Sequence, residues 1–339
     1  MEIKYYDELT SEQWDNYVEQ VKGSTFSYVS KKIEFDVDYS QYMLSNESAI
    51  FLVDKKPVSV VIAYVEKTNE SENIIGWSGG YAPIPMICQS LDYKVQEKYM
   101  ERSLEYIETV ALEYGCKKIL LRFDPLSNPE SWCKLYNYNV LIKKCYVDKS
   151  SLTQMIDLSL EENELKSMIR KGHKSNIKRG KYQIEFYDNT NMKQEVIEEY
   201  KRIYELDAGK VTRNSQMYQH YYNFVKDGKG IVALAKKDGE NVAVLIATFY
   251  KGTAYYSSYA EMTEELDGIP VGHQLQWNTM LELKRRKIHY YEIGEQVFGN
   301  YEKGSEEAKL VNISNFKHGF GGYTLPFFRG IKYLDVDNE

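Results

Sequence analysis

Two stretches of the chain carry residue types that suit chemistry. Arg170-Lys171-Gly172-His173-Lys174-Ser175-Asn176-Ile177-Lys178-Arg179-Gly180-Lys181 holds six Lys/Arg and no acid, in a chain of formal charge −7. Bases near a helix C-terminus complement its dipole at about 0.3–1 kcal/mol each, and this segment exceeds that need. The chemistry that fits is phosphate binding, of either a nucleic-acid backbone or a diphosphate. Arg170, Lys174 and Lys178 share a face if one helix runs through Gly172. The second stretch is Asn312-Ile313-Ser314-Asn315-Phe316-Lys317-His318-Gly319-Phe320-Gly321-Gly322. It is no P-loop, and in isolation it reads as a Gly-rich turn after a strand. Its single lysine beside three glycines suggests more: glycines let a ligand approach the backbone, and an ammonium there can offset charge on a carbonyl oxygen. Glu292 and Glu295 flank Ile293-Gly294 at a strand end, where a base or the counter-charge of an amine would fit, and where a solvated acid fits equally well. Tyr255, Tyr256, Tyr259, Tyr290 and Tyr291 alternate along two strands. Most read as sheet packing, with one or two, Tyr256 among them, lining a cleft.

Other chemistries find no support. No G-x-S-x-G elbow offers a hydrolase nucleophile. The four cysteines and five histidines never fall at C-x-x-C or H-x-x-x-H spacing, so no metal site is expected. With 43 Lys+Arg against 50 Asp+Glu, the chain is no general nucleic-acid coat protein and no stable nucleic-acid complex is expected. No run approaches ~18 apolar residues. Acids stand at Glu2, Asp7 and Glu8, where a signal peptide would have its apolar core. The reading is a soluble, cytoplasmic chain with reduced thiols.

The elements that must position these residues repeat. At 339 residues, 43% hydrophobic and 27% charged, the chain suits two ordinary domains. Thr10 and Gln13 make a capping box ahead of Trp14, Tyr17, Val18 and Val21, closed by Gly23. Strands Ala49–Val53 and Val58–Val65 follow around Asp54-Lys55-Lys56-Pro57, then a helix near 95–114 and a strand over 118–123. The second half runs likewise. A helix is marked by Val196, Tyr200, Ile203 and Tyr204, a second lies near 216–225, and strands follow at 231–235, 242–250 and 255–259. A helix near 274–286 and the strand 288–293 complete it. Ser159 and Glu162 read as a capping box before the basic segment. Helix, antiparallel strands, helix, strand is the order of a GNAT-type acyltransferase fold, present twice. The expected class is α/β with mixed sheets, in domains 1–150 and 151–339.

In this order the pieces resemble the FemABX family, the transferases that build peptidoglycan interpeptide bridges, and the FemAB-related proteins of surface-glycan clusters. The resemblance spans nearly the whole chain. It rests on Leu121-Arg122-Phe123-Asp124-Pro125, on Met155-Ile156-Asp157-Leu158 leading into Ile169 through Lys178, on Tyr291-Glu292-Ile293-Gly294, and on Phe316-Lys317-x-Gly-Phe-Gly-Gly. It implies two tandem GNAT-like domains, here without the coiled-coil arm of some members. It implies transfer of an amino acid from aminoacyl-tRNA to an amine on the stem peptide of a peptidoglycan precursor, with no further cofactor. It assigns the catalytic dyad to Phe316 and Lys317, the precursor's phosphates to Arg213, and the phosphate contacts of the basic segment to Lys174, Lys178 and Arg179. Tyr256 and Glu292 complete the expected substrate-binding set. Two departures bear on substrate: Ser30-Lys31-Lys32-Ile33-Glu34-Phe35 lacks the family's Trp-x-x-Lys, and Glu292-Ile293-Gly294-Glu295 stands where members tend to carry Asp-x-Gly-Gly.

The expected reaction is amide formation, with Lys317 offsetting charge on the carbonyl oxygen and Phe316 shaping the pocket. No side chain declares itself as the base. An acyl-CoA-dependent N-acyltransferase of an amino sugar in surface polysaccharide is the alternative, although Gly268-Ile269-Pro270-Val271-Gly272-His273 only half fits a pyrophosphate loop. A non-catalytic binding module on the same fold is the third reading. A lipid-linked precursor would bring transient contact with the inner membrane face, for which no amphipathic anchor is evident.

Overall fold

The computed structural model describes residues 1–69, 71–129, 133–211, 213–262, 268 and 270–334. The chain divides into two compact units. One joins Met1–Ser151 to the segment from Pro326 onward, and the other is Leu152–Leu325. The expectation placed the whole C-terminus in the second domain. Instead the strand Arg329–Tyr333 pairs with Cys116–Arg122 in the first unit, Arg329 opposite Arg122 and Tyr333 opposite Lys118. Among the described residues no helix is long and apolar enough to cross a membrane.

In the first unit the helix Ser11–Gln20 carries the expected Thr10–Gln13 box and buries Trp14 and Val18. The hairpin after it turns tighter than the sequence reading held. Asp54 and Lys55, at φ +50° and +65°, form a two-residue turn, so Lys56 and Pro57 already belong to the strand Lys56–Val61. The expected strand 58–65 is two strands, because Ile62 and Ala63 interrupt it before Tyr64–Lys67. The helix Tyr93–Glu113 then leads to Cys116–Arg122. A four-stranded sheet and a seven-stranded sheet result, the latter including Arg329–Tyr333. Ser30–Tyr39 is a helix. Its Lys32 pairs with the buried Asp36 and stands 4.8 Å from the ring of Trp77. A tryptophan distant in sequence thus meets the lysine that lacks one nearby.

The second unit is built on one seven-stranded sheet, ordered Gln183–Tyr187, Gly230–Lys237, Glu240–Tyr250, Thr253–Glu261, Tyr290–Gln296, Ser151–Asp157 and Tyr323–Phe327. Asp238 and Gly239, at φ +52° and +91°, make the first hairpin turn. The helix Val271–Arg285, hereafter the central helix, lays Leu275, Met280 and Leu283 against Ile231, Leu245 and Ile293 of the sheet. The helices Gln194–Ala208 and Ser215–Lys226 pack on Glu240–Tyr250, Thr253–Glu261 and Gly230–Lys237 through residues such as Tyr200, Ile203 and Phe224.

One join in this sheet matters for function. Thr253–Glu261 and Tyr290–Gln296 run parallel, yet they pair only over Thr253–Tyr255 and Tyr290–Glu292. Just beyond, each strand carries an extra residue. Ser257 falls between the partners of Ala247 and Ile246, and Ile293 between those of Met155 and Gln154. A bulge bends its strand and ends regular pairing. Two bulges at one point let the neighbouring strands part into a wedge.

Candidate active site

Lys317 is placed by the helix Glu306–His318, not by a turn after a strand as expected. The helix starts on Ser305, whose side chain accepts from Ala308 N–H, with Glu306 and Glu307 in its first turn, and it stops at Gly319. Only Ser314 of the helix is buried, so it lacks the apolar stripe by which helices are read. Its last turn delivers Lys317 to the parted strands. A Cβ built on Gly294, which sits at φ +111°, would lie 2.2 Å from Lys317 Nζ. The same ammonium lies 5.3 Å from the ring centroid of Tyr256 on the other strand. Among the described residues the Lys317 ammonium makes no hydrogen bond or ion pair. Burial lowers its pKa below the ordinary lysine value, while Glu292 and Glu295 act against that and favour the charged form. Glu292 is itself held by the Thr153 hydroxyl.

Phe316 forms the apolar wall beside this lysine. Its ring stands 5.1 Å from that of His273 and 5.2 Å from that of Phe320, both edge-on. Gly272, in the first turn of the central helix, is packed between walls. A Cβ there would meet Tyr259 Oη at 2.7 Å and Phe316 Cζ at 3.4 Å. Tyr259 donates to Glu261 Oε2 at 2.5 Å, and burial, helped by Asp207, pushes the Glu261 carboxyl upward. Gly272, Gly294, Tyr259 and Glu261 thus join the site without having been singled out as site residues. In the sequence Gly272 stood in the half-fitting pyrophosphate loop and Gly294 in the Tyr291-Glu292-Ile293-Gly294 motif, neither of them for its contact with Phe316 or Lys317.

The sequence-derived residues fall into three groups. Phe316, Lys317, Tyr256 and Glu292 come together around the wedge. Lys174, Lys178 and Arg179 lie on the helix Lys171–Arg179, hereafter the basic helix, where Lys178 and Arg179 are exposed and Lys174 donates to the Ser167 carbonyl at 2.9 Å. Arg213 belongs to another cluster, its guanidinium on the Tyr200 hydroxyl and 3.9 Å from the ring centroid of Tyr204. Two local expectations are corrected. The capping box before the basic segment is Glu161–Glu164 rather than Ser159–Glu162, since Ser159 is turned onto the Asp157 carboxylate. Arg170 does not continue the face of Lys174 and Lys178. The chain breaks at Ile169, Arg170 becomes the N-cap of the basic helix, and its guanidinium points to His173. Among the described residues no cluster of His, Cys, Asp or Glu could hold a metal ion.

Comparison with known proteins bears on the fold that holds these residues. Residues 163–309 match the model of an acetyltransferase (GNAT) domain. The crystal structure of FemX superposes with a TM-score of 0.64 at 14% identity, over 97% of this chain and 97% of that one. The chain has the FemX fold. Residues 163–309 of the second unit are similar to an acetyltransferase (GNAT) domain, and both parted parallel strands lie inside that segment. Two further solved structures are similar to this chain in fold. The C-terminal domain of a putative lysylphosphatidylglycerol synthetase from Agrobacterium fabrum has a TM-score of 0.57 at 9% identity, covering 95% and 92% of the two chains. A tandem GNAT protein from the clavulanic acid pathway has a TM-score of 0.51 at 9% identity, covering 99% of each. No curated protein matches the chain by sequence.

Proposed function

We propose that the chain transfers an aminoacyl group from aminoacyl-tRNA to an amine of a cell-envelope precursor, forming an amide in the cleft of the second unit. The observation that carries this reading is the Lys317 ammonium, held between the parted strands without a hydrogen-bonding or ion-pairing partner among the described residues. The neutral amine attacks the donor's ester carbonyl, forming the C–N bond. Charge develops on the carbonyl oxygen, and Lys317 offsets it, a contribution of about 2.7–4 kcal/mol for one such donor. The intermediate then expels the ribose oxygen, and the proton lost by the amine passes to that oxygen through substrate or water. Phe316 keeps this side of the cleft apolar, which strengthens the electrostatic term.

The basic helix supports a tRNA donor, with Lys174, Lys178 and Arg179 as its backbone contacts. Arg213 is proposed for the acceptor's phosphates, and Tyr256 and Glu292 for the groups nearest the lysine. A tRNA donor would place the reaction on the cytoplasmic side. The second reading, N-acylation from acyl-CoA, is supported by the match of residues 163–309 to an acetyltransferase (GNAT) domain. The half-fitting loop Gly268–His273 opens the central helix, but Ile269 lies outside the described residues. Thermal-shift titration of the wild type and Lys317→Met with charged tRNA, a UDP-linked muropeptide and acetyl-CoA tests both readings. Stabilisation by charged tRNA or muropeptide, followed by amide formation that Lys317→Met abolishes, is the expected result. Stabilisation by acetyl-CoA alone overturns it in favour of the second reading.

A further inference from the structure

His173 is the single buried residue of the basic helix, 2% exposed on a segment otherwise rich in solvated charge. Its ring is edge-on to His273 at 4.3 Å and to Phe320 at 4.9 Å, and 5.7 Å from Phe316. Each ring nitrogen has one partner. Nε2 lies 2.9 Å from the Phe316 carbonyl oxygen, and Nδ1 lies 3.2 Å from the Arg170 guanidinium. A carbonyl only accepts and a guanidinium only donates. Nε2 therefore carries the hydrogen, Nδ1 is the acceptor, and the imidazole is neutral. Burial and Arg170 both oppose its protonation.

At the helix end the Phe316 carbonyl accepts from Gly319 N–H at 3.2 Å and, more closely, from His173, and it belongs to the residue just before Lys317. A second bond, from Arg170 N–H to the Gly319 carbonyl at 2.9 Å, ties the start of the basic helix to the end of the lysine-bearing one. Gly319 admits the ring, since a Cβ there would lie 2.2 Å from His173 Nε2.

We infer that His173, with Arg170, is a positioning residue: it clamps the last turn of Glu306–His318 so that the Lys317 ammonium stays over Gly294 and Tyr256. The basic helix thereby has two faces with two tasks, one charged for a phosphate-bearing ligand and one neutral that holds the lysine. The inference deepens the proposed function, resting on its assignment of Lys317 to the reaction.

The test compares His173→Gln, whose amide can still donate to the Phe316 carbonyl, with His173→Phe, which keeps a ring and loses the donor. A readout independent of catalysis is the NMR titration of 13C-dimethylated Lys317, assigned by its loss in Lys317→Arg. The groups facing Lys317 are Tyr256, Glu292 and Glu295, and those facing His173 are Arg170 and His273. In His173→Phe the Lys317 signal should titrate closer to an ordinary lysine, and kcat should fall by about a hundredfold, as for a misplaced catalytic group, with little change in KM. His173→Gln should restore both. An unchanged Lys317 titration in a folded His173→Phe overturns the inference. A wild type that transfers no acyl group overturns the proposed function and leaves the titration to judge the clamp.

Discussion

At Lys317 a charged group is held partly out of water with two carboxylates for company, and this makes the residue costly as well as useful. Its native pKa lies below the ordinary 10.5, burial being the main cause. Between the native value and 10.5 the unfolded chain binds more protons, so the stability owed to this group is complete above 10.5 and is lost as pH falls through the native pKa. Lys317→Met should therefore raise Tm at neutral pH and flatten the alkaline part of the Tm–pH curve. It should also cut kcat by about 10²–10³-fold, the loss typical of one oxyanion donor. Differential scanning calorimetry over pH, with a single-turnover assay, checks both. His273 gives the acid counterpart. Burial, helped by His173 and Arg170, lowers its pKa from 6.5 to about 4. Stability from this group is complete above pH 6.5 and is lost as pH falls to about 4, a change on the order of 3 kcal/mol. His273→Phe, which keeps the aromatic packing, should blunt acid unfolding in that window, measured by urea midpoints at pH 7 and pH 4.5.

Elements decide whether such residues meet, and here the sequence was legible unevenly. The strands around Asp54-Lys55 and Asp238-Gly239 declare themselves through apolar runs and turn chemistry, and the GNAT order follows from them. The wedge does not, because a bulge at Ser257 or Ile293 is a matter of register between strands far apart in sequence. Glu306–His318 escaped for a different reason. A helix that buries only Ser314 shows no periodicity, although Ser305, Glu306 and Glu307 offered a start signal. Phe316 and Lys317 were legible through resemblance, while the neutral histidine beneath them was hidden inside a run of bases. Gly294 tests the wedge itself. At φ +111°, alanine there costs about 1–3 kcal/mol of backbone strain and places its methyl where Lys317 Nζ lies. Gly294→Ala should lose most of kcat while remaining folded. Gly209→Ala, at φ +65° with open space around it, should lose stability alone. Paired urea unfolding and turnover measurements separate the two outcomes.

For the whole molecule the decisive feature is the return of Arg329–Tyr333 to the first unit. That strand lies between Cys116–Arg122 and Val147–Asp148 in the sheet order. Deleting residues 329–339, which spares the second unit's strand Tyr323–Phe327, should therefore expose the first unit to limited proteolysis while the second resists, and equal susceptibility of both units would contradict this division. The same topology orders events in time. A ribosome delivers residues from the first to the last, and domains commonly fold in that sequence. Here everything the second unit needs has been polymerised while the first still waits for its closing strand. The later-encoded sheet is thus complete in the growing chain before the earlier one receives its closing strand, and until then Cys116–Arg122 lacks the neighbour it has in the finished sheet.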